Sequence, residues 1–427
     1  MTGAAPGRRY LVALIDAGGT VPPAIGVAAE LVRRGHRVHV LSDPTVEDAA
    51  RAAKCTFSPW REAPHVNSRE EQTALIAAIE GRNPYRAFRV AKDFVGKKMT
   101  SRYAQDLVAT VQETPVDAIL SDGLPGMLIG AQATGLPTAV LLANAYARPT
   151  VGMPLLGTGW SPARGPVTRA RDVVAPTVVL WLLARTLPRL NAVTAEYGQP
   201  ALRDPFELFD RAERVLVMSS PSFDFRGPRL PTNVRYVGPQ LDDPDWATQA
   251  DWSRPGDQPL VLVALSSVYQ NQAELLCSIA AALGTLPISA VLTTGRAVEP
   301  NAIPAPDNVQ VIRAAPHRKV LADASVVITH GGHGIVMKSL AAGVPMVCIP
   351  MGRDQKDNAA RVLRLGAGLQ IGKRSTPDRI AAAVAEVMDR ADYGAAARRF
   401  ASVLAEEAQS RPSAADEAEA LLDGRTH

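Results

Sequence analysis

Short apolar runs and stretches of helical period alternate along this chain, and the pattern starts twice. Residues 11–15 form an apolar strand, residues 16–20 a turn, and Pro22 and Pro23 lead a helix with Ile25, Ala28 and Val32 on one face. Gly35 stops that helix, and residues 37–41 return as a second strand. Residues 118–120, 138–142 and 214–218 repeat the strand signal. Between them, residues 146–166 are rich in Gly and Pro and predict a long loop of the kind that often walls a ligand. The pattern restarts at residue 260 with a strand (260–265) ending in Ser266 and Ser267. A helix (272–283) and strands at 288–293, 309–315 and 326–329 follow, then a helix opening near Gly334 and a strand at 346–349. Thr376, Pro377 and Asp378 make an N-cap and first turn for a helix reaching about Arg390, and residues 393–422 continue as helix. Such alternation predicts parallel sheets with crossover helices, an α/β fold. The polar, proline-rich segment after Tyr236 divides the chain into residues 1–237, a linker at 238–259, and residues 260–427.

A length of 427 residues suffices for two such cores, and 47% hydrophobic with 21% charged residues is the balance of a globular enzyme. The net charge of +4 is spread along the length. Arg33, Arg34, Lys97 and Lys98 read as solvated helix faces, so no nucleic acid partner is expected. Three scattered cysteines, Cys55, Cys277 and Cys348, form neither a disulfide framework nor a zinc site and fit a reducing cytoplasm. The N-terminus has no apolar secretory core. The most apolar run, residues 173–184, contains Pro176 and is too short to span a bilayer. It predicts a buried helix or the wall of an apolar acceptor pocket, and stable membrane insertion is not expected. A homodimeric state is left open.

The chemistry concentrates between His330 and Asn358. Gly331, Gly332 and Gly334 make a tight turn after a strand, where the absence of Cβ atoms lets backbone approach a ligand. The helix that follows offers unpaired N–H groups and a positive dipole end, suited to a diphosphate. His330 and His333 flank the turn as donors. Asp354, Gln355 and Asn358 follow the next strand, where they can hydrogen-bond sugar hydroxyls. The earlier turn at residues 16–20 lacks the G-x-G-x-x-G spacing, so no dinucleotide is expected there.

This segment closely resembles the donor-binding motif of the GT-B UDP-glycosyltransferase-like family, which includes actinobacterial natural-product glycosyltransferases. The resemblance covers most of the chain and is strongest over residues 311–370. It implies two Rossmann-like domains facing across a cleft, the second taking a nucleotide sugar and the first a small hydrophobic acceptor, with the last helix crossing back to the first domain. It further implies that His330 contacts the donor diphosphate and that the backbone of Gly332, His333 and Gly334 faces the same group. Ser266 and Ser267 would touch diphosphate or sugar, Ala315, Pro316 and His317 would line the nucleobase, and Asp354 and Gln355 would bind sugar hydroxyls.

Two departures from the family pattern matter on the donor side. Ile335 stands where a phosphate-binding Thr or Ser is common, and Lys338 where a Glu commonly holds both ribose hydroxyls. A cation cannot accept those hydrogen bonds, which inclines the reading towards dTDP-sugars over UDP-sugars. On the acceptor side, Thr20 stands where the family commonly carries a catalytic His, while Asp122 matches its partner Asp. Asp122 acting directly, Asp16 at the end of the first strand, His65 from a loop, or a phenolic acceptor that needs little help all remain open. The resemblance thus implies an inverting, metal-independent glycosyltransferase with no cofactor, its nucleotide sugar being a co-substrate. A nucleotide-sugar-binding protein without turnover and a GT-B epimerase are the alternatives.

Overall fold

A computed structural model describes residues 7–68, 70–71, 96–227, 229–243, 245–248, 252–266, 272–295 and 298–423. Ser267 lies outside the described residues. Two parallel sheets carry the fold. The first comprises β1 (Arg9–Ala13), β2 (Arg37–Ser42), β3 (Thr56–Pro59), β4 (Ala118–Ser121), β5 (Thr138–Leu142), β6 (Arg214–Val217) and β7 (Val234–Tyr236), in the order β3-β2-β1-β4-β5-β6-β7. The second comprises β8 (Leu260–Ala264), β9 (Ser289–Thr293), β10 (Val309–Ile312), β11 (Ala324–Thr329), β12 (Met346–Cys348) and β13 (Gly368–Gln370), in the order β10-β9-β8-β11-β12-β13. Both are doubly wound Rossmann-type sheets. Their strand order reverses between β1 and β4 and between β8 and β11, and ligands bind outside the carboxyl ends of strands at such switch points.

The central strands are apolar on both faces because helices cover both. All five residues of β8, LVLVA, are buried. The first crossover helix, Val21–Arg33, buries Ala24, Val27, Ala28 and Leu31, an i, i+3, i+4, i+7 stripe. Of the face expected from the sequence, Ala28 holds; Ile25 and Val32 are only half-buried, at the stripe's margins. Gly35, at φ +93°, ends the helix: its N–H bonds the Val32 carbonyl, and that of His36 bonds the Leu31 carbonyl. At the far end of the chain, the helix Ala414–Asp423 returns to the first sheet, where Ala414, Ala415, Ala418 and Leu421 join the cluster around Tyr10 and Leu120. Arg34 ties it down through Asp416 (2.7 Å) and Glu419 (2.8 Å).

One expectation is overturned. The apolar run at 173–184 is not a buried helix. It belongs to the helix Pro166–Ala184, in which only Asp172 and Pro176 are buried; Val174 is 58% and Trp181 56% exposed. Its apolar residues point all round rather than along one stripe, so one packed side leaves the others outside. The Arg185 guanidinium lies over the Trp181 ring at 3.6 Å. No single described helix is long and apolar enough to cross a membrane; this helix and Leu187–Glu196 reach that composition only as a pair bent by 45°.

Polar bonds join the two sheets. Arg361 and Asp224 form a buried pair (2.7 Å), and the Asp224 carboxylate also accepts from the Tyr236 hydroxyl (2.7 Å). Asp357 accepts from the amides of Gly157 (2.5 Å) and Gly159 (2.8 Å), which pins the long loop before Pro166 to the helix Gln355–Leu365.

Candidate active site between the two sheets

The second sheet's switch point carries the glycine turn. Gly331 adopts φ +88°, and a Cβ there would lie 2.8 Å from the Gln355 carbonyl oxygen. A Cβ on Gly332 would lie 2.5 Å from His330 Nε2, so the imidazole folds back over bare backbone. Asn358 Nδ2 donates to the Gly331 carbonyl (3.0 Å) and to Asp354 Oδ2 (2.9 Å), fastening the turn to the next helix. The helix His333–Ala341 starts after Gly332 with no side chain capping it, and Gly334 beside its first turn faces open space. Uncapped first-turn N–H groups at an exposed helix start make an anion site.

His330 stands at the edge of that site. Burial pushes its imidazole down to about 4, with Asp354 and a hydrogen bond to the Ala264 backbone opposing the shift, so the free protein holds it neutral at pH 7. Its Nδ1 is buried without a hydrogen-bond partner. His333 does something else. Its Nε2 meets the Met218 carbonyl beyond β6 (3.2 Å) and its ring packs edge-on against Phe223, so this side chain joins the sheets while its backbone serves the turn. Burial lowers its pKa as well.

The other donor-side residues separate into two groups. Asp354 is half-buried beside His330 and His333, whose charges it influences. Gln355 is buried, and its side-chain oxygen accepts the Met351 (2.7 Å) and Gly352 (3.0 Å) amides, shaping the loop before the helix. Arg353, at φ +52°, donates from Nη1 to the Ala17 carbonyl (3.3 Å), so this loop touches the residue 16–20 turn of the first sheet. Ser266, buried after β8, accepts Gln272 Nε2 at its carbonyl (2.8 Å). Ile335 packs its side chain against the core rather than offering a hydroxyl.

His317 opens the helix His317–Asp323, and its Nε2 meets Thr293 Oγ1 (3.2 Å). Burial, with Lys338 adding repulsion, pushes it down to about 4. Lys338 is paired with Asp243 (2.5 Å), a residue of the segment joining the sheets, whose second oxygen accepts the Arg318 amide (2.9 Å). Asp243 had no local signal in the sequence, because its partner lies 95 residues away.

The first sheet's switch point carries the carboxylates. Asp122, just past β4, accepts the amides of Ile15 (3.0 Å) and Leu124 (3.2 Å). Burial raises its pKa to about 6 against those two hydrogen bonds, with Asp43 adding repulsion. The Ile15 bond also explains why β1 stops at Ala13 rather than at residue 15: beyond Ala13 the chain turns to meet Asp122. Asp16 is held by its own turn and by the segment after β2, accepting from Gly18 N (3.0 Å) and Thr45 Oγ1 (2.7 Å). Beneath it, buried Asp43 accepts the amides of Asp16 and Val66 (2.6 Å each), and burial raises its pKa. Asp43 was missed in the sequence, although a strand-end Asp after β2 is the signal that could have found it. Thr20 and Asp122 line one small cavity. His65 bonds the Ala63 carbonyl of its own loop (2.9 Å).

Residues 278–423 match the model of the erythromycin biosynthesis protein CIII-like, C-terminal domain. Over 430 residues the chain is 30% identical to 4'-demethylrebeccamycin synthase of Lentzea aerocolonigenes, covering 98% of this chain and 99% of that protein. It is 30% identical over 302 residues to a PGL/p-HBAD biosynthesis glycosyltransferase of Mycobacterium tuberculosis, covering 68% and 67%. The crystal structure of the glycosyltransferase of kitacinnamycin superposes with a TM-score of 0.73 at 26% identity, covering 97% of this chain and 99% of that one. A full-length relative, a matching C-terminal domain and a shared two-sheet fold agree: the chain belongs to the GT-B family of natural-product glycosyltransferases.

Proposed function

We propose that this enzyme moves a sugar from a nucleoside diphosphate, dTDP in preference to UDP, to a hydrophobic natural-product acceptor, with inversion and without a metal. Residues 260–427 take the donor, residues 1–237 the acceptor, and residues 238–259 join them. The observation that carries the reading is the uncapped, exposed start of the helix His333–Ala341, with the unpartnered His330 Nδ1 beside it at a switch point. Donors aimed where charge develops on a leaving diphosphate stabilise the transition state without rearranging. A diphosphate oxygen beside His330 also raises the imidazole's proton affinity, which strengthens the contact as charge builds.

Asp122 is the base. It lies at the opposite switch point, and a carboxyl near 6 is largely ionised at pH 7 yet basic enough to take a proton. Displacement by an acceptor from the face opposite the diphosphate inverts the anomeric carbon. Asp354 and the Gln355 side chain border the sugar. The preference for dTDP rests on Lys338: it is a cation, and the carboxylate beside it already holds Lys338 and the Arg318 amide. The loop at 146–165 and the exposed apolar side chains of the helix Pro166–Ala184 suit a greasy aglycone.

The test is a donor panel of UDP- and dTDP-sugars offered with phenolic and aliphatic acceptor pools, read by mass spectrometry. Adducts should form with dTDP donors and form about 100-fold more slowly in His330→Ala, and the anomeric proton coupling in the product should show inversion. Donor binding by calorimetry without any adduct would replace a transferase by a binder, and a release of free epimerised donor would replace it by an epimerase.

A further inference from the structure

The helix Val21–Arg33 starts at Thr20, a residue type that normally caps a helix by accepting a first-turn amide. Thr20 does not cap. Its backbone is already helical (φ −86°, ψ −23°), no side-chain cap bond forms, and its Oγ1 is buried without a hydrogen-bond partner. A buried hydroxyl left so is unfavourable, because it has given up its water without a replacement. Beside it is a cavity of about 30 Å³, walled by Leu14, Ala24, Leu141 and Met218 and also lined by Thr20 and Asp122. A single water needs on the order of 10–15 Å³ of such space and at least two polar partners. The cavity satisfies both conditions. Each Asp122 oxygen accepts one backbone amide and keeps a further lone pair.

We propose that this cavity holds a water hydrogen-bonded to Thr20 Oγ1 and the Asp122 carboxylate, and that this water relays the acceptor's proton to Asp122. The proposal rests on the transferase reading above. As the acceptor's lone pair bonds the anomeric carbon, the bond from that carbon to the diphosphate oxygen breaks and its electron pair leaves on the diphosphate. The acceptor's proton passes to the water, a proton of the water passes to Asp122, and Asp122 later releases it to solvent. Thr20 is a positioning residue, since it acts through the water. Met218 ties the relay to the second sheet: it lines the cavity, and its carbonyl holds His333.

The test combines a high-resolution crystal structure with steady-state kinetics. The wild-type cavity should show one ordered water within hydrogen-bond distance of Thr20 Oγ1 and Asp122. Thr20→Val keeps the shape and removes the hydroxyl; it should lower kcat about 10-fold with the donor KM unchanged, and Thr20→Ser should restore it. The pH profile should move too, because Asp122, Asp43 and the Tyr103 hydroxyl face one another there and the water helps solvate the ionised carboxylate. Should Thr20→Val not fold, a wild-type proton inventory decides: two protons in flight give a curved dependence on deuterium fraction. A dry wild-type cavity, a linear inventory, or a Thr20→Val enzyme as fast as wild type overturns the relay and leaves the transferase standing. Failure of the wild type to transfer to any acceptor overturns the transferase reading, and the relay with it.

Discussion

The two switch points of this molecule solve opposite electrostatic problems with opposite materials. At β8 and β11 the proposed task is to receive a diphosphate, and the site is built from backbone amides, a glycine turn and a histidine that burial keeps neutral. At β1 and β4 the proposed task is to remove a proton, and the site is built from carboxylates, half-buried Asp122 and buried Asp43, whose affinity for protons desolvation raises. Desolvation acts on both and disfavours charge on both. On the donor side that leaves an uncharged cradle that gains its counter-charge with the ligand. On the acceptor side it makes a carboxylate into a base of useful strength. The same geometry, two facing sheets with loops at their carboxyl ends, therefore supports complementary halves of one reaction.

The largest expected effect breaks the acceptor half alone. Asp122→Asn removes the proposed base and should lower kcat by about 10²–10⁴-fold, while dTDP binding measured by calorimetry stays as in the wild type. Equal losses of turnover and nucleotide affinity would mean that Asp122 supports the fold of both halves and is no base. His330→Ala is the mirror experiment. It should lower kcat/KM by about 10²-fold and weaken binding of the nucleoside diphosphate, yet leave the ascending limb of the kcat–pH profile near pH 6, where Asp122 ionises. A limb that moves with His330 would assign the titration to the wrong half.

A smaller effect sharpens the donor half. The double variant Lys338→Gln with Asp243→Asn replaces an ion pair by neutral amides and supplies an acceptor oxygen where the proposed reading puts the ribose. The ratio of kcat/KM for UDP over dTDP donors should rise about 10-fold. Both substitutions belong together, because removing one partner of a buried pair strands the other at a cost of about 3–5 kcal/mol. An unchanged ratio would show that nucleotide choice is made elsewhere in the pocket.

The halves also differ in how far the sequence reveals them. The proposed donor site is local: His330, the three glycines, Asp354 and Asn358 fall between the end of β11 and the first turn of the helix Gln355–Leu365, and backbone amides need no particular side chain to exist. Thr376, as a cap accepting Arg379 N, was equally readable because its partner is three residues away. The acceptor side depends on distant juxtapositions. Asp122 matters because β4 lies beside β1, and Asp43 because β2 does. Neither pairing is visible in local periodicity, and strands as short as β7 and β13, of three residues each, are too brief to show a period at all. The exposed helix Pro166–Ala184 departs from the sequence expectation for a related reason: apolar content alone does not imply burial, whereas a one-sided stripe does. Lys338 shows the limit from the other direction. Its departure from the family pattern was plain in the sequence, but the Asp243 that answers it was not.

The smallest effect tests the comparison at its root, through the sign of the pH dependence of stability. His330 and His317 titrate near 4 in the folded chain and near 6.5 when unfolded, so between those values the unfolded chain binds more protons. Their contribution to stability is therefore lost as pH falls from about 6.5 towards 4, each on the order of 1–3 kcal/mol. Asp122 has the reverse sign. Its folded value near 6 exceeds the unfolded value of 3.8, so the folded chain binds more protons between them and gains stability as pH falls through that window. The two halves oppose each other, but two imidazoles outweigh one carboxyl, so urea unfolding should show the wild type losing about 2 kcal/mol between pH 7 and pH 5. Removing one half's titration should unmask the other. Asp122→Asn should lose more stability than the wild type between pH 7 and 5, and His317→Phe should lose less. If Asp122→Asn follows the wild-type slope, burial is not what raises that carboxyl, and the contrast between a neutral donor cradle and a protonatable acceptor base loses its physical cause.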